Sequence, residues 1–181
     1  MNCQKTITPK EQITNDVLRK NTPEPIKLST EQKRSVMITV VDLLLKSGLD
    51  NMTLPIACGI AGNIDAESGF NYTSIGDNGS SYGLCQWHNK RWNNLYSYCQ
   101  QINISPNTPE GQTQFIINEL KTSFSSVYRT ISSQDYRNDI DKVTTYFCKN
   151  FEIPANADTI CPKRVVKAEN VLTQYKASKG L

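Results

Sequence analysis

The sequence predicts a mostly helical α+β domain with one small β-hairpin beside a central helix, and three observations carry that prediction. Apolar residues recur at helical spacing through most of the chain from Ser29 onward. The stretch from Asn71 to Trp87 breaks the pattern with Ser, Gly, Asn and Asp, and Asp77-Asn78-Gly79 inside it is a strong hairpin-turn signal. With 181 residues and 38% hydrophobic content, the chain can bury one good core and leaves little for a second. Residues 1–28 are polar, carry Pro9, Pro23 and Pro25 and lack sustained periodicity, so they read as an N-terminal arm or linker. Residues 29–181 read as one folded domain.

The elements follow in chain order. Ser29 and Gln32 form a capping box that opens a helix through Val36, Val40, Leu44 and Leu45, and Gly48 stops it just past Lys46. Thr53 as N-cap with Pro55 in the first turn starts a second helix toward Glu67. Gly59 and Gly62 weaken that helix intrinsically, so close packing against another helix is their expected use. The hairpin comes next. Arg91 to Gln101 is helical by the spacing of Trp92, Leu95, Tyr96 and Cys99, and Thr108-Pro109 caps a helix holding Phe115, Ile116 and Leu120. Tyr136 to Phe151 places Ile140, Val143, Phe147 and Phe151 on one face, and Pro162 is expected to open a last helix with Val165, Ala168, Leu172 and Tyr175.

Charge and composition exclude several classes. A net charge of +3 suits approach to polyanions such as bacterial wall polymers and falls short of a nucleic-acid-binding signature. The first twenty-one residues hold no apolar run able to act as a signal peptide, and nothing later approaches the ~20 apolar residues of a membrane span, so no membrane insertion is expected. Six cysteines without an export signal are expected to be reduced thiols in small apolar niches. No pair of them is spaced CxxC and His88 is the single histidine, so neither metal nor other cofactor is expected.

One carboxylate stands out. Glu67 follows Ile56, Ala57, Ile60, Ala61 and Ile64, spaced to bury one side of a helix, so its carboxyl should emerge where core meets solvent. Desolvation there would raise its pKa. Cleaving a glycosidic bond needs such a group, because the leaving sugar oxygen must receive a proton as the bond breaks. A hydrolase also needs a second carboxylate, and Asp77, ten positions on and in the predicted hairpin, is preferred over Asp65. Asp77 is equally an ordinary turn residue ahead of Asn-Gly. Asp65 projects from another side of the helix and is expected to be solvated. Tyr82, Gln86 and Trp87 are the candidate substrate-binding residues, since aromatic faces suit sugar rings and an amide gives directional hydrogen bonds. Trp87 fits a core position as well.

With these residues in place the chain resembles the phage tail lysozyme family of the lysozyme-like superfamily. The likeness is carried by AGNIDAESGFN (61–71) and GDNGSSYGLCQWHNKR (76–91), and more faintly by NFEIP with Arg164 and Ala168. It spans about residues 33 to 175. The resemblance implies a muramidase that cuts peptidoglycan between N-acetylmuramic acid and N-acetylglucosamine, with Glu67 as the acid and Gly83, Leu84, Gln86 and Trp87 as the family's G-L-x-Q-W strand. It also implies a protein carried in a virion or tail, or held in the host cytoplasm before release, acting on the cell wall. The N-terminal arm is then the element for docking on other virion proteins. Three alternatives stay open. A lytic transglycosylase would cut the same bond without a second carboxylate; a wall peptidase or amidase would use Cys85 and His88; a glycan-binding structural module would do no chemistry.

Overall fold

The computed structural model describes residues 24–181. The elements are α1 Thr30–Leu45, α2 Leu54–Ser68, β1 Ile75–Gly76, β2 Ser81–Tyr82, β3 Trp87–His88, α3 Asn89–Gln101, α4 Pro109–Lys121, α5 Ser125–Ile131, α6 Ile140–Phe147, a π-turn Cys148–Glu152, and α7 Ala157–Lys179. The mostly helical α+β prediction holds, with a β-sheet of three short antiparallel strands where a single hairpin was expected. Ile75 pairs with Tyr82, and Ser81 and Tyr82 pair in turn with His88 and Trp87.

Helix α2 is the axis of the molecule. Its apolar run was expected to bury one side, but every residue from Ile56 to Ile64 is buried, as befits a helix enclosed by others. Thr53 caps it as predicted, its hydroxyl accepting from the Ile56 amide, and Gly69 ends it in the left-handed conformation. The two glycines do what the sequence suggested. A Cβ at Gly62 would stand 2.5–2.6 Å from the backbone and Cβ of Ala168 on α7, and one at Gly59 would meet Val143 of α6 at 2.7 Å. The backbones of α2 and α7 therefore approach more closely than any side chain at position 62 permits.

Helix α1 opens on the predicted capping box, with Ser29 and Gln32 each accepting from the other's backbone amide. It packs Val36, Val40, Val41 and Leu44 into the core. Asp42 joins it to the far end of α7 by accepting from the Tyr175 hydroxyl (2.6 Å) and Lys179 (2.8 Å). Just before α1, Leu28 is buried in the core, while the Ile26 amide donates to Thr73 and its carbonyl accepts from Asn71. Residues 1–23 of the expected arm, Cys3 among them, lie outside the described residues.

The second half differs from expectation in three places, each with a physical reason. Helix α5 was not foreseen, because SSVYRTI is short, β-branched at three of seven positions and lacks a side-chain cap. The helix predicted up to Phe151 leaves α geometry at Cys148, where the Ile153 amide bonds the Cys148 carbonyl five residues back. Pro162 lies inside α7 and does not open it. The turn ahead of Pro162 is instead secured from outside, by a Cys148–Cys161 disulfide and by Lys149 donating to Asp158 at 3.0 Å. That disulfide corrects the expectation of reduced thiols at these two positions, and a loop of 13 residues is worth roughly 3 kcal/mol. Cys58, Cys85 and Cys99 are free and buried.

Gly62→Ala tests the close approach of α2 and α7. The added methyl must push backbone apart, so a loss of about 1–3 kcal/mol is expected despite alanine's better helix propensity. The measurement is a fall in the urea midpoint at unchanged m-value, and an unchanged midpoint would refute the packing argument.

Candidate active site

Glu67 lies in the last turn of α2, with its side chain 21% exposed. Its Oε1 accepts from Nη2 of Arg164, which α7 presents with the side chain only 7% exposed. The same guanidinium donates through Nη1 to Asn63, one turn back on α2 (3.2 Å), and Asn63 is anchored by donating to the Gly59 and Thr144 carbonyls (2.9 and 3.2 Å). Glu67 thus emerges at the edge of the core as the sequence suggested, but with a buried arginine as counter-charge. Ser68 bonds back to the Ile64 carbonyl, and Asp65, expected to be solvated, pairs with Lys167 of α7 at 2.7 Å.

The sheet carries the other candidates. Asp77 sits in the β1–β2 loop with φ +47°, in the left-handed region that short polar residues tolerate best. Its Oδ2 accepts from the Ser81 hydroxyl (2.5 Å) and lies 3.1 Å from His88 Nε2. Asp77 and His88 are both well exposed, at 64% and 61%. Ser81 also lies 3.1 Å from His88 Nε2, so aspartate, serine and histidine share one nitrogen. A hydrolytic triad needs the two imidazole nitrogens to have separate partners, so this trio is not one.

Tyr82 and Trp87 face inward, and Gln86 is half-buried. Tyr82 is buried, stacks on Trp92 at 5.3 Å between centroids and donates its hydroxyl to the Gly79 carbonyl. Trp87 is fully buried, edge-on to Phe115, and gives its indole N–H to Glu119 at 3.0 Å. This is the core position the sequence left open for it. Gln86 donates to the Gly83 and Ser74 carbonyls (2.9 and 3.4 Å), and its Oε1 fills the space a Cβ at Gly76 would need. These three residues hold the sheet's shape and present no free aromatic face or amide in this conformation.

Behind Glu67 lies a partly buried charged layer that the sequence did not reveal. Arg91 of α3 forms a two-point pair with Glu119 of α4 (2.9 and 3.0 Å) and lies over the rings of Phe124 and Phe151 at 5.0 and 4.8 Å. The sequence favoured a solvated helix start for Arg91; the carboxylate that holds it is twenty-eight residues away. Glu152, from the π-turn, is the other member. Burial first and the charge of Glu67 second push its carboxyl up to about 8, against the pull of Arg164 and Arg91. Cys85 borders the same layer, and burial together with the surrounding carboxylates pushes its thiol far up. NFEIP was the one sequence signal that touched Glu152.

Among the described residues no group of three or more His, Cys, Asp or Glu side chains could hold a metal ion, and no helix is long and apolar enough to cross a membrane. The sequence model of the phage tail lysozyme family matches residues 36–175. The chain belongs to the phage tail lysozyme family. Membership makes it a lysozyme-like peptidoglycan hydrolase in general character, a glycosidase-type enzyme, and fits association with the virion and action on the cell wall. A search of curated proteins finds no match.

Glu152 gives the fold a pH dependence with a definite sign. The unfolded chain loses this proton near 4.5 and the folded chain holds it to about 8. The destabilisation is therefore absent below about pH 4.5, grows as the pH rises, and is complete above about 8. Urea midpoints of wild type and Glu152→Gln should diverge in the variant's favour between these limits. A constant difference across the range would contradict the assignment.

Proposed function

We propose that this phage tail lysozyme homologue is a muramidase cutting between N-acetylmuramic acid and N-acetylglucosamine, with Glu67 as general acid. Family membership supports the substrate class. The observation that carries the assignment of the acid is the setting of Glu67, which lies in the last turn of a helix buried without a break from Ile56 to Ile64, remains partly open to solvent and is fixed by a buried arginine. A group held in one orientation at such an edge can meet a glycosidic oxygen without reorganising.

Asp77 is the proposed second carboxylate. It is exposed, and the hydrogen bond it accepts from Ser81 and its ion-pair contact with His88 hold it in the loop, which suits orienting a water or stabilising developing positive charge. Transglycosylation of the same bond would dispense with Asp77 and leave an anhydro sugar end. A thiol peptidase built on Cys85 is disfavoured: the sulfur is buried, its thiol is pushed away from the nucleophilic thiolate, and His88 is turned to Asp77 and Ser81. Glycan strands of peptidoglycan are the proposed partner, and other virion proteins meeting the N-terminal arm are a second.

Glu67→Gln keeps the size and an acceptor for Arg164 while removing the proton. Release of glycan fragments from purified sacculi should fall by about 10²–10⁴-fold, and circular dichroism should show the fold retained with a stability loss of about 1–3 kcal/mol. Mass spectrometry of wild-type products should give reducing muramic acid ends. Anhydro ends would replace hydrolysis by transglycosylation, and free peptide amines with full activity in the variant would sink the Glu67 reading.

A further inference from the structure

A groove of about 230 Å³ opens beside the end of α2, between α1 and α7. Its rim is charged and its floor is apolar. Lys33 and Arg34 come from α1, Lys167 from α7 and Asp65 from α2, while Met37, Phe70 and Val171 are the buried lining residues. Asp65 answers Lys167 at 2.7 Å, and among the described residues neither Lys33 nor Arg34 meets a carboxylate. Three cations against one carboxylate leave +2 in this groove, most of the +3 carried by the whole chain. Like charges gathered around one concavity raise the local potential and draw an anion into it. The groove adjoins the candidate acid. Asp65 and Gly69 stand two residues to either side of Glu67, and the α2–α7 seam that pairs Glu67 with Arg164 continues into the pairing of Asp65 with Lys167. A Cβ at Gly69 would stand 3.6 Å from Lys33 Nζ, which puts that ammonium against the end of the helix that carries Glu67.

We propose that this groove is a second substrate site, which holds the carboxylate-bearing peptide stem of peptidoglycan beside the glycan strand. The proposal rests on the reading of that strand as substrate and adds what is bound next to it. Stem peptides are short, end in a carboxylate and carry the methyl side chains of alanine. Each feature has a counterpart here. Lys33 and Arg34 offer an ammonium and a guanidinium to the carboxylate, and the guanidinium can take it at two points. Met37, Phe70 and Val171 give the methyl groups an apolar floor. Peptide N–H groups can donate to Oδ1 of Asp65, since only its Oδ2 is engaged by Lys167, and the amides of Asn170 and Gln174 supply a donor and an acceptor each. A bare phosphodiester polymer would also meet the cations, but it has no N–H for Asp65 and would set negative charge against it. The carboxylate in the groove therefore favours a peptide.

The test compares wild type with the double variant Lys33→Ala, Arg34→Ala, which removes two side chains that are not buried. Two substrates are used, peptide-bearing glycan strands and the same strands stripped of peptide by an amidase. On peptide-bearing strands the variant should show a KM raised by about tenfold with kcat within about twofold of wild type. On stripped strands the two proteins should be equal. In NMR titrations of ¹⁵N-labelled protein, a synthetic stem tetrapeptide should shift the amides of Lys33, Gly69 and Lys167 in wild type, and those of Gly69 and Lys167 should stay unmoved in the variant. The same peptide amidated at its C-terminus should bind more weakly. Equal losses on both substrates, or no shift with the peptide, would overturn the proposal. Tighter binding of polyglycerol phosphate at the same amides would overturn it too and make the groove a site for anionic wall polymers. Peptide binding that the variant abolishes, in a protein that leaves glycan intact, would uphold the site and overturn the muramidase reading instead.

Discussion

The contact between Arg164 and the α2 residues Asn63 and Glu67 is the constraint on which the rest of the structure depends. A guanidinium this deeply buried needs the donors on its terminal nitrogens met, here by Asn63 and Glu67, and removing one partner of such a pair typically costs about 3–5 kcal/mol. Meeting them requires α7 to lie against α2 at one register and one distance. Gly62 permits the distance, since the backbone of Ala168 occupies the volume a side chain would take. Ala168 follows Arg164 by one helical turn, so the steric fit and the ion pair fix the same register. Packing and electrostatics thus specify one arrangement, which is how a marginally stable fold acquires a single site geometry.

A second charged pair plays the matching part for the sheet. Strands of two residues have almost no hydrogen-bond ladder of their own. The sheet is held by its neighbours: Trp87 reaches Glu119, and Gln112 of α4 accepts from the Leu84 amide and donates to the carbonyls of Tyr72 and Pro106. The position of Asp77 therefore descends from α4. The helices supply rigidity and the loop supplies an exposed carboxylate, a division of labour common where function sits on connecting segments.

Much of this was legible in the residues. Capping boxes, N-cap threonines and the Asp-Asn-Gly turn are local chemistry, so α1, α2, α4 and the first hairpin could be read almost to the residue. The place of Glu67 at the edge of the core, in the last turn of α2, was legible because apolar spacing and motif agree on it. What stayed hidden depends on partners far apart in sequence. Arg164 lies 97 residues from Glu67, Glu119 lies 32 from Trp87, and nothing near any of them indicates the other. The surroundings of Tyr82 and Trp87 stayed hidden for a related reason: an aromatic residue on a short strand has the same local pattern whether it faces a sugar or a core. Only the tertiary neighbours, Trp92 and Phe115, decide that.

The π-turn has a consequence for how this chain can vary in length. A turn closed over five residues contains one residue more than an α turn, and each residue advances a helix by about 100°. Deleting a single residue between Cys148 and Glu152 would restore ordinary helical phase and swing the following side chains around the axis by that amount. Glu152 would leave the layer behind Glu67, and Cys148 would be displaced relative to Cys161. The segment therefore tolerates substitution more readily than deletion, and homologues that differ here by one residue should be expected to have rebuilt the whole charged layer.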